Sequence, residues 1–121
     1  LLIFYVDPEV PKQNHDFITY IEETGRVQGP NIEGFGIVNL KDAVYPNNVV
    51  RKIADARTAK NGATILCDPD HYISSAWRLG DCNNMFVIML VNKAGELVYV
   101  HKGEMDEKAQ QEFIAAAEPL R

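Results

Sequence analysis

Apolar residues along this chain fall into two alternating patterns, short continuous runs and longer stretches at helical spacing. Leu1 to Val6 is an unbroken apolar run, as expected for a strand covered on both faces. Asp7-Pro8 ends it, because proline cannot donate to a ladder and biases its predecessor away from helix. Val10, Asn14, Phe17, Ile18 and Ile21 then predict a helix from about Pro11 to Thr24, with Gly25 as its C-terminal cap. Gly29-Pro30 marks a loop. Phe35 to Leu40 is the second strand, entered through Gly34-Phe35-Gly36. Asn47 or Asn48 caps a second helix running to about Lys60, and Asn61-Gly62 stops it.

Thr64 to Cys67 is a short third strand. Asp68-Pro69-Asp70 opens a helix near Tyr72 to Leu79, where Ile73, Ala76, Trp77 and Leu79 are placed to pack on a sheet, and Gly80 ends it. Met85 to Val91 and Leu97 to Val100 flank Asn92-Lys93-Ala94-Gly95, a hairpin signal in which glycine supplies the positive φ. The last helix, Asp106 to Ala117, buries Ala109, Phe113, Ile114 and Ala117, and Pro119 follows its end.

The order is β-α-β-α-β-α-β-β-α. Right-handed crossovers make the early strands parallel, and the closing hairpin adds two antiparallel ones. A βαβ unit followed by a ββα unit is the arrangement of the thioredoxin-like fold, here with an extra helix and edge strand between the halves. The fold class expected is therefore α/β, a three-layer sandwich with a mixed five-stranded sheet and helices on both faces. A flavodoxin-like doubly wound sheet competes, but it would lack the terminal hairpin.

Composition narrows the function. At 121 residues the chain matches one domain with a single core, residues 1–121. A formal net charge of −5 leaves no basic footprint, so nucleic-acid binding is disfavoured. No apolar run approaches the roughly 20 residues of a membrane-spanning helix. The chain opens inside a strand without an initiator Met, so a trimmed natural N-terminus is expected.

Several short matches occur in order. They are Ile37-Val38-Asn39, Asp42-Ala43-Val44, Val50-Arg51, Leu66 to Asp68, Ala76-Trp77 with Leu79, the hairpin Val91 to Leu97, and Lys102-Gly103. In this run the chain resembles the YtfJ family of small periplasmic bacterial proteins with a thioredoxin-like fold. The resemblance implies that fold and a periplasmic location more than an activity. Some members are described as transcriptional regulators, which this sequence does not support: it has no helix-turn-helix pattern and no basic surface count.

Thioredoxin chemistry needs a Cys-x-x-Cys pair where the first strand meets its helix, because a helix N-terminus stabilises a thiolate. Here that junction is Asp7-Pro8-Glu9-Val10-Pro11-Lys12. A peroxidatic cysteine is missing for the same reason. The cis-proline expected near Met85 or Phe86 is also absent, since no proline lies between Asp70 and Glu118.

Two cysteines remain, Cys67 at the end of the third strand and Cys82 in the loop before the fourth. Three readings stay open: a structural bridge, two separate thiols, or a functional redox pair. A bridge would close a loop of about 15 residues and contribute roughly 3 kcal/mol. Asp68, Asp70 and Asp81 match no calcium loop and are expected in turn and cap roles. His15, His71 and His101 lack zinc spacing and are expected at the surface. Gly34-Phe35-Gly36 lacks the rest of a phosphate loop.

The expected function is thus that of a redox-inert binding or interaction domain of the bacterial envelope, with an unknown protein or small-molecule partner. The alternative is an unconventional oxidoreductase using Cys67 and Cys82, and a third is a structural subunit domain. No catalytic residue, metal or cofactor is assigned. Asp7, Glu9, Trp77, Asn83 and Asn84 are the expected binding surface.

Overall fold

In the computed structural model the described residues are 1–10, 12–41, 52 and 64–121. Five strands form one sheet: β1 (Leu2–Val6), β2 (Gly34–Asn39), β3 (Ile65–Asp68), β4 (Phe86–Val91) and β5 (Leu97–Lys102). Their order is β3-β2-β1-β4-β5. β1 pairs in parallel with β2, and β2 with β3, while β4 is antiparallel to both β1 and β5. This is the expected mixed five-stranded sheet, with β3 at one edge and β4 one place beyond the centre. The helix expected from Asn47 or Asn48 to Lys60 lies outside the described residues.

Period-two alternation sorts the strand residues onto two faces. Leu2, Phe4 and Val6 look one way, with Phe86, Ile88 and Leu90 of β4. They pack under α1 (His15–Thr24) and α3 (Glu107–Ala117), through Phe17, Ile21, Phe113 and Ile114. Phe113 is fully buried and meets Phe17 edge-on at a ring distance of 5.9 Å. Burying such a ring is worth roughly 1.5–3 kcal/mol. Ile3, Tyr5, Ile37, Val87, Met89 and Val91 look the other way, toward Leu79, Cys82 and the half-buried Ile73 and Trp77. These belong to α2 (Tyr72–Ala76) and the loop after it. All six residues of β4 are buried, because both faces of that strand are covered.

Element ends differ from expectation for local reasons. α1 begins at His15 rather than near residue 11, because Asn14 sits at φ 60° and cannot continue a helix. Gly25, at φ 63°, caps it as expected. α2 stops at Ala76, three residues early. Arg78 adopts φ 53°, and the Leu79 amide donates back to the Ser74 carbonyl at 2.8 Å. Ala76 is exposed, not packed on the sheet; Ser74 takes the inward position. β5 runs two residues further than expected, to Lys102. The hairpin forms as expected: Gly95 has φ 81°, and the Asn92 side chain accepts from the Ala94 and Glu96 amides. Asp106 caps α3 by accepting from the Ala109 amide at 2.8 Å.

Asp68 fixes α2 to the sheet. Its side chain closes β3 and accepts from the amides of Asp70 (3.2 Å), Tyr72 (2.9 Å) and Ile73 (2.9 Å). The Tyr5 hydroxyl donates to the same carboxylate at 2.9 Å, across β2. Burial raises the Asp68 pKa, but the Ile73, Tyr72 and Asp70 amides and the Tyr5 hydroxyl outweigh it, leaving the value below 3.8. Tyr5 is shifted upward, first by burial and then by this carboxylate.

The first prediction concerns this pin. Asp68→Asn replaces one acceptor oxygen with a donor group, and should cost about 2–3 kcal/mol at pH 7. The folded carboxyl titrates below its unfolded value, so its contribution is complete above that value and fades as pH falls through the folded one. Urea midpoints should therefore show the gap between native and variant protein narrowing below about pH 4. A gap independent of pH would show that the charge plays no part.

Candidate functional site

Open α/β sheets bind ligands beyond the carboxyl ends of their parallel strands. Here that end carries the loops after β1 and β3, the loop from α2 to β4, and the turn from β5 to α3. Side-chain hydrogen bonds join them. Asp7 is fully buried; one carboxylate oxygen accepts from the Glu9 amide at 3.0 Å and the other from the Asn84 amide at 2.8 Å. The Asp7 amide donates to the Met85 carbonyl at 3.0 Å. Gln13 accepts from the Phe86 amide at 2.9 Å. Asn14 donates to the Gly103 carbonyl at 3.0 Å and accepts from the Met105 amide at 2.7 Å.

The first βα junction is thus a closed polar joint. Asp7, expected on a binding surface, is fully buried here, and its carboxylate accepts from two amides. Glu9 is half-buried and lines a shallow hollow of about 430 Å³ with Val10, Lys12 and Gln13. Met85 stands where a cis-proline was sought, and no peptide bond among the described residues is cis.

A second groove, about 590 Å³, is formed by α2 and the start of the α2–β4 loop. One wall is His71, Ser74, Ser75 and Arg78; the other runs from Gly80 to Cys82. The loop that shapes it is held in left-handed backbone at Arg78 (φ 53°), Gly80 (φ 74°) and Asn84 (φ 57°). Two outside contacts hold it there, the Asp7 bond to Asn84 and a 2.7 Å bond from the Lys102 ammonium to the Leu79 carbonyl. Asn83 and Asn84 are exposed further along the loop, and the Asn83 amide donates to Asp81 at 2.9 Å. Trp77 is half-buried against the core and contributes packing there.

The two cysteines do not meet. Cys67 is in register with Val38, and Val38 with Val6, which places it on the α1 and α3 face. Cys82 is buried on the opposite face, in the cluster with Tyr5 and Val87. Neither is part of a disulfide. The sheet therefore stands between them.

Asp68 and Asp81 act as turn and cap acceptors, and Asp70 pairs with Lys41 at 3.8 Å. Among the described residues no three His, Cys, Asp or Glu side chains gather to hold a metal ion. None of the described helices is long and apolar enough to cross a membrane. The polar wall at positions 71, 74, 75 and 78 went unread in the sequence. No helical periodicity could have shown it, because His71 and Arg78 lie outside α2 in left-handed backbone and Ser74 is buried.

No family model matches the chain, and no curated protein matches it. Among solved structures it is similar to the solution structure of a candidate thioredoxin from Neisseria meningitidis, with a TM-score of 0.60. The identity is 16%, and the match covers 98% of this chain and 73% of that one. The fold is thioredoxin-like.

Asp7→Asn keeps the size of the side chain but turns an amino group toward one of two donating amides. The cost expected from urea denaturation is about 1–3 kcal/mol. Hydrogen exchange at the Asn84 amide should accelerate beyond this global loss, because the loop is released locally. Unchanged protection at Asn84 would mean that Asp7 does not hold the loop.

Proposed function

We propose that this domain binds a partner on the ligand side of a thioredoxin-like fold without carrying out thiol–disulfide exchange. The observation that carries the reading is the first βα junction, where Asp7 bonds to Glu9 and Asn84 in place of an accessible thiol. Exchange also needs a second sulfur within reach, and a disulfide requires Cα atoms roughly 4.4–6.8 Å apart. Cys67 and Cys82 lie on opposite faces of the sheet, which speaks against a couple formed from them. Placement in the bacterial envelope, and kinship with the YtfJ family, rest on the sequence resemblance.

The test is a thiol count joined to an exchange assay. Protein unfolded without reductant should titrate as two free thiols per chain, matching its cysteine count. Reduction of a disulfide substrate should be no faster than with the Cys67→Ser/Cys82→Ser variant. Turnover that either single substitution abolishes would replace this reading with an oxidoreductase using that cysteine.

A further inference from the structure

The groove between α2 and the loop entering β4 contains one guanidinium, Arg78, and one carboxylate, Asp81. Both residues are exposed, and among the described residues they form no ion pair with each other. Opposite charges that line one cavity without pairing leave each free to meet the complementary charge of a ligand. The same groove is also lined by Ser75 and His71. The backbone under these groups is held in advance. Arg78 and Gly80 sit in left-handed conformations, Lys102 bonds the intervening Leu79 carbonyl, and Asp7 anchors the loop further on at Asn84. Left-handed non-glycine backbone is costly and gathers where a site must be preorganised.

We infer that this groove is a site for a zwitterionic ligand, an amino acid or short peptide carrying both a carboxylate and an ammonium group. The carboxylate meets Arg78, whose planar fork suits it. The ammonium meets Asp81 through the oxygen not already accepting from the Asn83 amide. Ser75 supplies a hydroxyl along the wall. The groove volume of about 590 Å³ exceeds what one small amino acid would fill, which favours a short peptide. The inference deepens the binding-domain reading and rests on it.

The experiment is an amide chemical-shift titration of isotopically labelled protein at fixed ionic strength. The probes are glycine, triglycine, acetate and methylammonium. Triglycine should move the amides of residues 75–82 saturably, with glycine weaker at the same amides. Acetate and methylammonium should each bind at least about tenfold more weakly than triglycine, since each satisfies one charge only. Arg78→Gln and Asp81→Asn should each lower triglycine affinity by about tenfold, leaving distant amides unmoved. Asn at position 81 keeps an acceptor for the Asn83 amide, so the loop is retained. Acetate equal to triglycine would reveal a plain anion site and overturn the proposal. Absent shifts at residues 75–82, or unaffected variants, would overturn it equally. The thiol count and exchange assay on the same sample separate the two failures: exchange activity refutes the binding-domain reading, whereas missing shifts without exchange refute the zwitterion groove alone.

Discussion

The carboxyl end of the parallel strands depends on two buried carboxylates, one at the end of β1 and one at the end of β3. When a parallel strand stops, the amides of the following loop lose their ladder partners while still near the core, and an unpaired buried amide is costly. Asp7 and Asp68 solve this in the same way, each collecting amides from the chain just after it and a donor from elsewhere. For Asp7 the distant donor is the Asn84 amide; for Asp68 it is the Tyr5 hydroxyl. Each carboxylate thereby links a strand end to a separate element. The α2–β4 segment is bound at both ends by these links, through Ile73 and Tyr72 at its start and Asn84 near its finish.

The sheet itself then decides what the two sulfurs can do. Strand register assigns Cys67 to the face under α1 and α3, and packing assigns Cys82 to the other. A chain-entropy estimate for a bridge of that loop length is favourable, but it presumes geometry that a sheet between the sulfurs denies. Here topology outranks loop entropy. The groove beside Cys82 consequently draws its character from charged and hydroxyl side chains rather than from the thiol.

Much of the fold was legible because it is written in apolar periodicity. The continuous runs at Leu2–Val6 and Phe86–Val91 announced central strands, Phe113 and Ile114 announced a buried helix face, and Asn92 to Gly95 announced a hairpin. Element ends were harder, because they depend on partners distant in sequence. Asn14 halts α1 while bonding to Gly103 and Met105, about ninety residues away, which no local pattern could disclose. The site was less legible still. The missing sulfur pair and missing proline could be read directly, yet Asp7 looked like a surface acid until Asn84 was seen to bind it. Arg78 was likewise unremarkable in sequence, since only its backbone conformation and its neighbours across the groove single it out.

The difference from an exchange-competent junction also goes deeper than one substituted residue. A reactive cysteine in such a fold relies on the first amides of a helix placed directly after the strand. In this chain β1 ends at Val6 and α1 begins at His15, so the helix start stands well away from Asp7. The helix entry residue, Asn14, directs its side chain to the β5–α3 turn, and Gln13 directs its own to the start of β4. A sulfur placed at Asp7 would therefore sit in a buried joint, without a helix terminus to stabilise its thiolate, and would strand the amides of Glu9 and Asn84. Loop geometry, side-chain bonding and the lack of a thiol pair at this junction agree with one another.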